Sequence, residues 1–256
     1  MKIGVSTACY YPLETELALE EVGKGGIKTT EIFFNAESEL KPTFVDILKG
    51  IQNEYGIEIA SVHPTMSLAE SFMIFSAYAR RFYEAITQFE RYSEIAAELG
   101  AKYIIMHGGK PNGILNDEEY CERYMTLKNA CLKNGVTVLQ ENVANFRSGD
   151  CEFLESMRNI LGDDAEFCFD IKQSVRRGYL PLDMLERFYD NIKHCHISDH
   201  SLSSDCLLPF DGNFNFDDFF AFLKAKNYNG ACVIEVYNNA YKNYSEIIES
   251  YKKITI

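Results

Sequence analysis

Four side chains able to bind a divalent metal stand at the ends of four successive apolar segments in the second half of the chain. They are Glu141, Asp170, His196 and Glu235, in the segments 138–142, 167–170, 194–197 and 233–236. Burying a carboxylate or an imidazole beside a strand is costly unless another group compensates it. If the four strands share one barrel, these side chains meet at one point, and a divalent metal is the simplest compensation.

The donor types of this set indicate which metals fit. Three carboxylates and one imidazole make a mostly oxygen-donor site for a single divalent ion. We expect Mn²⁺ first, with Mg²⁺, Co²⁺ or Zn²⁺ as alternatives. Such an ion can chelate two neighbouring oxygens of a polyol and stabilise an enediolate as charge develops. The pattern therefore predicts proton-transfer chemistry on a sugar.

Two glutamates are predicted to carry the proton. Glu141 and Glu235 belong to the fifth and eighth predicted strands, which are not neighbours in a closed ring, so they can face a substrate from two sides. Gln140 and Asn142 are expected to support them. His63 and His107 end the third and fourth predicted strands, and six consecutive strands then end in a ligand or acid–base group.

The elements that must position these residues alternate eight times between a β-prone and a helical segment. A length of 256 residues suits one (β/α)₈ TIM barrel, which typically needs about 250, so we expect a single domain over residues 1–256. Apolar runs predict strands near 3–7, 29–34, 57–63, 102–107, 137–142, 167–171, 193–198 and 231–237. Helical periodicity predicts helices near 13–24, 42–55, 79–99, 117–133, 151–161, 181–190, 216–226 and 244–254.

Several segments give the chain a family resemblance. Segments 168–173, 193–199 and 207–216 resemble the sugar phosphate isomerase/epimerase family, in the xylose isomerase-like barrel superfamily that also contains endonuclease IV. Segments 138–142 and 233–236 match its other ligand strands, and the likeness covers nearly the whole chain. The resemblance implies one metal held by Glu141, Asp170, His196 and Glu235, with both glutamates also carrying the proton. His63 and His107 match additional zinc positions of the nuclease branch, whereas in the sugar branch such residues face the substrate.

Two departures from the family pattern favour a single-metal sugar enzyme over a three-zinc nuclease. Gln173 stands where relatives often have a histidine, and Asp199 and His200 are adjacent instead of forming an Asp-x-His element. We expect Gln173, His63 and His107 to contact the substrate.

A phosphorylated substrate would need cationic or backbone anion contacts at the barrel mouth. The cationic candidates are Lys110, Arg147, Lys172, Arg176 and Arg177. Of these we expect Arg147 and Lys172 to bind the sugar or sugar phosphate.

Three other functions remain open from the sequence. The same residues could serve an endonuclease IV-like zinc phosphodiesterase on abasic DNA, an inosose dehydratase-like lyase, or a non-catalytic sugar-binding protein. A net charge of −13 argues against generic nucleic-acid binding, which favours a basic surface. A ketose 3-epimerase or an aldose–ketose isomerase is therefore the main prediction.

The remaining sequence signals predict a cytoplasmic protein. The eight cysteines form no CxxC pair, and we expect them to be reduced thiols. The amino terminus enters a strand directly without the pattern of a signal peptide, and no apolar run approaches the length of a membrane span. No membrane contact is expected, and a homo-oligomer is possible because family relatives often form dimers or tetramers.

Overall fold

Eight parallel strands close into one barrel in sequence order, which confirms the predicted (β/α)₈ TIM barrel. The computed structural model describes residues 1–65 and 69–255. The strands are β1 (Lys2–Ser6), β2 (Thr29–Phe33), β3 (Glu58–His63), β4 (Tyr103–Met106), β5 (Thr137–Glu141), β6 (Phe167–Asp170), β7 (Ile192–Ile197) and β8 (Ala231–Ile234).

The helices surround the barrel and return the chain from each strand to the next. They are α1 (Thr15–Lys24), α2 (Pro42–Tyr55), α3 (Glu70–Met73), α4 (Ala79–Glu98), α5 (Asp117–Leu132), α6 (Cys151–Leu161), α7 (Ile171–Arg177), α8 (Pro181–Phe188), α9 (Phe216–Ala225) and α10 (Tyr244–Thr255).

Two of these helices were not predicted. The short helix α3 lies between the predicted strand 57–63 and the predicted helix 79–99, in a segment of which residues 66–68 fall outside the described part of the chain. Helix α7 follows β6 directly, because the side chain of Asp170 accepts a hydrogen bond from the backbone of Gln173 and caps the new helix. Residues 199–214, after β7, contain only an isolated β-bridge between Asp199 and Leu207.

Strand alternation explains why the polar side chains point to one place. Successive residues of a strand face opposite sides, so residues two apart share a face. Ile105, Leu139 and Cys168 form a small apolar cluster that is separate from the main core. His107, Glu141 and Asp170 follow them by two residues, and therefore lie one layer nearer the carboxyl end of the barrel.

A second strand feature gives Glu31 its partners. Within β2, Glu31 alternates with Ile32, whose side chain packs in the main core, so the Glu31 carboxylate points into the barrel towards β7. The pairing of β2 with β3 shifts by one residue after Thr30, so that Glu31 lies opposite Ser61 instead of Ala60. The Ser61 hydroxyl therefore lies beside the buried carboxylate.

Packing and thiol state complete the description of the fold. Helix α4 buries Phe89, Tyr92, Ile95 and Ala96. All eight cysteines are buried free thiols. Across the described residues, no helix is long and apolar enough to cross a membrane.

Candidate metal centre and substrate cavity

The four residues predicted as metal ligands lie together at the carboxyl end of the barrel. Glu141 and Asp170 end β5 and β6, His196 is the penultimate residue of β7, and Glu235 follows β8 by one residue. One potential ligand atom from each lies within 4.8 Å of one from every other. The sequence therefore placed this group correctly in space, although its binding of a metal stays a prediction.

The imidazole of His196 is the centre of this group. Its Nδ1 lies 3.2 Å from Glu141 Oε1, 3.5 Å from Glu235 Oε2 and 3.8 Å from Asp170 Oδ2. Its Nε2 lies 3.1 Å from Glu31 Oε2. Nδ1 is thus the nitrogen that faces the three carboxylates, and Nε2 faces away from them.

Proton affinities in the group follow from burial and mutual charge. Burial opposes protonation of His196, but nearby carboxylates, Glu31 and Glu235 among them, outweigh burial and raise its pKa well above the usual value. Burial alone would raise the pKa of Glu141, yet contacts with His107 and His196 hold it well below its ordinary range. The site therefore concentrates negative charge, and His196 holds a proton more readily than an ordinary imidazole.

The residues present fit a divalent ion. Oε2 of Glu141 and Oδ2 of Asp170 are buried without an aligned hydrogen-bond partner within the described structure. His107 Nε2 and Lys172 Nζ each approach one of these oxygens to 3.2 Å, but without hydrogen-bonding geometry. Buried carboxylate oxygens without donors are costly unless a cation is bound, so the donor set and its burial suit a metal.

Backbone hydrogen bonds hold the ligand strands in position. Asn142 accepts a hydrogen bond from the backbone N–H of Asp170 at 2.6 Å, and its amide donates to the Asp170 carbonyl at 3.0 Å. Gln140 donates to the carbonyls of Met106 and His107. Gln140 and Asn142 were expected to support the glutamates. Their side chains instead join β5 to the carboxyl ends of β4 and β6, on either side of Glu141.

His63 and His107 form a second group with Glu141. Their ligand atoms also lie within 4.8 Å of one another. The ring of His63 stacks on Phe33 at 4.4 Å, and its Nδ1 is buried without a partner among the described residues. Burial lowers the pKa of His63 to about 4, so its imidazole is neutral near pH 7.

Glu31 is a site residue that the sequence reasoning missed. It is fully buried, and Ser61 donates to its Oε2 at 2.8 Å while Ser6 donates to its Oε1 at 3.2 Å. A carboxylate that accepts the far N–H of a metal-binding histidine fixes the tautomer and the ring orientation. The one available signal was an acidic residue within the β-prone segment 29–34, where its polar neighbours Thr29 and Thr30 do not indicate its partner.

A cavity of about 450 Å³ opens above the four residues. Glu141 and Glu235 line it, whereas Asp170 and His196 are each only 1% exposed and lie deeper. The other lining residues are Ala8, Tyr11, Phe33, Phe34, Asn35, His63, Thr65, His107, Lys172, Gln173, Val236, Tyr237 and Asn238. Small-molecule sites commonly enclose about 300–1,000 Å³. This cavity, which has aromatic side chains in its wall, therefore suits a small polar ligand.

Four of the five predicted substrate contacts line this cavity, namely His63, His107, Lys172 and Gln173. Arg147 does not. Its guanidinium contacts Asp117, donates to the Leu115 carbonyl at 2.7 Å and lies over the Phe153 ring. The carboxylate and the aromatic ring hold this side chain in a separate surface depression, so the structure gives no support to its predicted role.

The remaining cationic candidates are engaged outside the cavity. Arg176 donates to Asp205 at 2.6 Å, and Arg177 donates to Asp150 at 3.1 Å. The ammonium of Lys110 lies 4.4 Å from the centre of the Phe146 ring. Within residues 1–65 and 69–255, Lys172 is the one lysine or arginine that lines the cavity.

The turn after β4 requires a glycine. Gly108 has a φ of 99°, and a Cβ built on it would lie 2.2 Å from the hydroxyl of Tyr120. Its N–H donates to Glu70 at 2.7 Å, which ties α3 to the rim of the site. Tyr120 is itself fully buried, so it has little room to move aside.

We therefore expect Gly108→Ala to lower the free energy of unfolding by at least about 2 kcal/mol, from backbone strain and overpacking. Urea denaturation of both proteins measures the change. Gly50→Ala is the matched control, because Gly50 lies in α2 with open space around its Cα and should gain roughly 0.5–1 kcal/mol. Equal stability of Gly108→Ala and wild type would contradict the argument.

Comparison with known proteins identifies the family. Residues 19–254 match the model of the xylose isomerase-like TIM barrel family, and the chain belongs to this family. An uncharacterized protein of Mycobacterium leprae, ML2432, is 24% identical over 272 residues, which cover 96% of this chain and 92% of that protein.

Solved structures share the fold. A D-tagatose 3-epimerase-like protein aligns with a TM-score of 0.77 at 22% identity, over 99% of this chain and 98% of its own. The IolI protein, solved with a zinc atom, aligns with a TM-score of 0.78 at 20% identity, over 100% of this chain and 96% of its own.

Proposed function

We propose that the protein is a metal-dependent isomerase or epimerase of a small sugar. The observation that carries the proposal is the convergence of Glu141, Asp170, His196 and Glu235 at the floor of a sugar-sized cavity. Two of their carboxylate oxygens have no aligned hydrogen bond among the described residues. The family and the D-tagatose 3-epimerase-like neighbour support the same reaction class.

Glu141, Asp170, His196 and Glu235 would hold the ion, for which Mn²⁺ is the first expectation. When bound, it supplies Lewis-acid polarisation of two adjacent substrate oxygens. Each of the four residues offers one ligand atom, so open coordination positions remain for a substrate. His196 would use Nδ1, because Nε2 faces Glu31.

Glu141 and Glu235 are the proposed proton carriers. Both line the cavity, and they approach it from β5 and from the end of β8 on opposite sides of His196. One glutamate would remove the proton from the carbon next to the carbonyl to give the enediolate, and the other would return a proton to the opposite face. Return to the same carbon gives a 3-epimerase, and return to the neighbouring carbon gives an aldose–ketose isomerase.

His63, His107 and Gln173 are the proposed polar contacts for the sugar hydroxyls. Gln173 already uses its carbonyl oxygen to accept the N–H of Ala144 at 3.1 Å, so its amide N–H₂ remains the group to offer the ligand. The neutral His63 can donate or accept near pH 7. Because Lys172 is the one lysine or arginine among the described residues lining the cavity, an uncharged sugar is favoured over a sugar phosphate.

The direct experiment is a screen of ketoses and aldoses with Mn²⁺, Mg²⁺, Co²⁺ or Zn²⁺ in D₂O. We expect one substrate to gain deuterium at the carbon next to its carbonyl while it converts to its product. Deuterium uptake without conversion would mark a partial reaction, and formation of a dehydrated product would identify the lyase alternative. If every sugar that binds shows neither deuterium uptake nor a dehydrated product, the non-catalytic alternative is favoured and the proposal is overturned.

One observation favours a second candidate. The group of His63, His107 and Glu141 could hold another ion beside the first, as an endonuclease IV-like phosphodiesterase would require. Metal analysis after loading with zinc, together with cleavage of an abasic duplex, separates the two candidates. We expect one bound ion per chain and no cleavage.

Metal binding should also stabilise the fold. At Mn²⁺ equal to about 100 times its Kd, binding to the native state adds about 2.7 kcal/mol, which raises the Tm of a chain this size by roughly 5–10 °C. Differential scanning calorimetry with and without EDTA measures the shift. Asp170→Asn should remove most of it, whereas Asp164→Asn, at the opposite end of the barrel beside Lys128, should retain it. No shift with any of the four ions would contradict the assigned site.

A further inference from the structure

The ammonium group of Lys172 lies inside the candidate metal centre. Its Nζ is 2.7 Å from Glu235 Oε2 and 3.2 Å from Asp170 Oδ2, and the residue is only 2% exposed. It also lies 5.0 Å from the centre of the Tyr237 ring. A lysine ammonium is rarely buried this deeply unless it is paired, as it is here with Asp170 and Glu235. What calls for an explanation is a cation placed among predicted metal ligands.

Local structure fixes the position of this lysine. Asp170 caps α7, and Lys172 is the second residue of that helix, so the cap fixes the backbone that carries the lysine. The carboxylate of Glu235 reaches Lys172 from the end of β8 on the other side. The ammonium therefore joins a predicted metal ligand to a predicted proton carrier.

Charge balance gives the lysine a role. The three carboxylates Glu141, Asp170 and Glu235 carry −3 when ionised, and a divalent ion reduces this to −1. The Lys172 ammonium brings the sum over these groups to zero, with Glu31 outside the sum on the far side of His196. Proton removal by a glutamate would move one negative charge from that carboxylate to the enediolate, next to both cations, where the low dielectric strengthens their attraction.

The ammonium also has a donor to offer. A lysine carries three N–H groups. Glu235 accepts one of them at 2.7 Å, and the ammonium forms an ion pair with Asp170 Oδ2 at 3.2 Å. Because Lys172 lines the cavity, a remaining N–H can be offered to a ligand there.

We propose that Lys172 is a catalytic residue: its ammonium acts as a second cation that donates to the substrate oxygen on which negative charge develops, and it weakens metal binding by repulsion. The catalytic part rests on the proposed function, whereas the effect on metal binding does not. The two roles predict opposite changes on substitution. Removing the charge should tighten binding of the metal and slow the reaction.

The test compares Lys172→Met with the wild type. The first measurement is isothermal titration calorimetry with Mn²⁺ and no sugar. Mn²⁺ should bind at least about tenfold more tightly to the variant, because a nearby positive charge is gone. Turnover at saturating Mn²⁺ should fall by about 10²–10³, as expected for loss of a donor to a developing oxyanion. A residue that only filled space would not change these two quantities in opposite directions.

Lys128→Met is the matched control. Lys128 is also buried, at 4% exposure, and also pairs with two carboxylates, Asp164 at 3.2 Å and Glu166 at 3.1 Å, but it lies outside the cavity. Its loss should lower stability without changing the Kd for Mn²⁺ or the turnover. Lys172→Arg keeps the charge and should bind Mn²⁺ within about threefold of the wild type.

Each outcome decides one part. Unchanged or weaker Mn²⁺ binding by a folded Lys172→Met overturns the repulsive role, and unchanged turnover overturns the catalytic role. If Lys172→Met does not fold, tighter binding by Lys172→Arg than by the wild type would also overturn the repulsive role. If the wild type converts no sugar, the proposed function fails while the Mn²⁺ measurement still tests the lysine.

Discussion

Glu235→Gln and Glu141→Gln should each lower turnover by about 10²–10⁴ while the protein remains folded. The amide keeps the shape of the carboxyl group but cannot accept and return a proton. Both side chains line the cavity and lie within 3.5 Å of His196 Nδ1, so the loss acts at the reacting centre. Steady-state kinetics at saturating Mn²⁺ measures the effect, with circular dichroism as the test of folding.

Solvent exchange can separate the two glutamates. If the protein is a 3-epimerase, each glutamate serves one face of the substrate carbon. Glu141→Gln should then exchange deuterium into one epimer only, and Glu235→Gln into the other. Metal content must be measured in parallel, because both residues are also proposed ligands.

Glu166→Gln is the control for these substitutions. Glu166 precedes β6 at the opposite end of the barrel, where it pairs with Lys128 at 3.1 Å. Its turnover should match the wild type. Wild-type turnover in either cavity variant would refute the assigned proton carriers.

Much of this site could be read from the sequence because the relevant information is local. A metal-binding side chain at the carboxyl end of a buried strand is visible in a short segment, and strand alternation then fixes its direction. Closure of the barrel was enough to bring Glu141, Asp170, His196 and Glu235 together.

The missed features depend on pairings between distant strands. Glu31 meets Ser61 on β3 and His196 on β7, and no local pattern in segment 29–34 encodes those contacts. The role predicted for Arg147 lost its support for a similar reason, since Asp117 at the start of α5 binds its guanidinium. Whether the Arg147 guanidinium contacts a substrate or Asp117 depends on tertiary packing, which local sequence patterns do not show.

Glu31→Ala should weaken Mn²⁺ binding by about 10–100-fold, although Glu31 is not among the four proposed ligands. Its Oε2 lies 3.1 Å from Nε2 of His196, and donors from Ser6 and Ser61 anchor the carboxylate. Without this acceptor, the ring loses the contact at Nε2 that directs Nδ1 towards the carboxylates. Calorimetric titration with Mn²⁺ measures the Kd, and the visible spectrum of the Co²⁺ form reports the geometry of the ligands.

Glu31→Ala also breaks a buried pair, so we expect a loss of roughly 3–5 kcal/mol in stability. Glu31→Gln separates the two effects, because the amide oxygen still accepts from Nε2 and should keep the Kd within about tenfold of the wild type. A second arrangement is testable in the same titration, since Glu31, His194 and His196 could themselves hold an ion. Loss of one ion from a two-ion stoichiometry in Glu31→Ala would identify Glu31 as a ligand, whereas an unchanged Kd and Co²⁺ spectrum would show that the ring of His196 needs no such support.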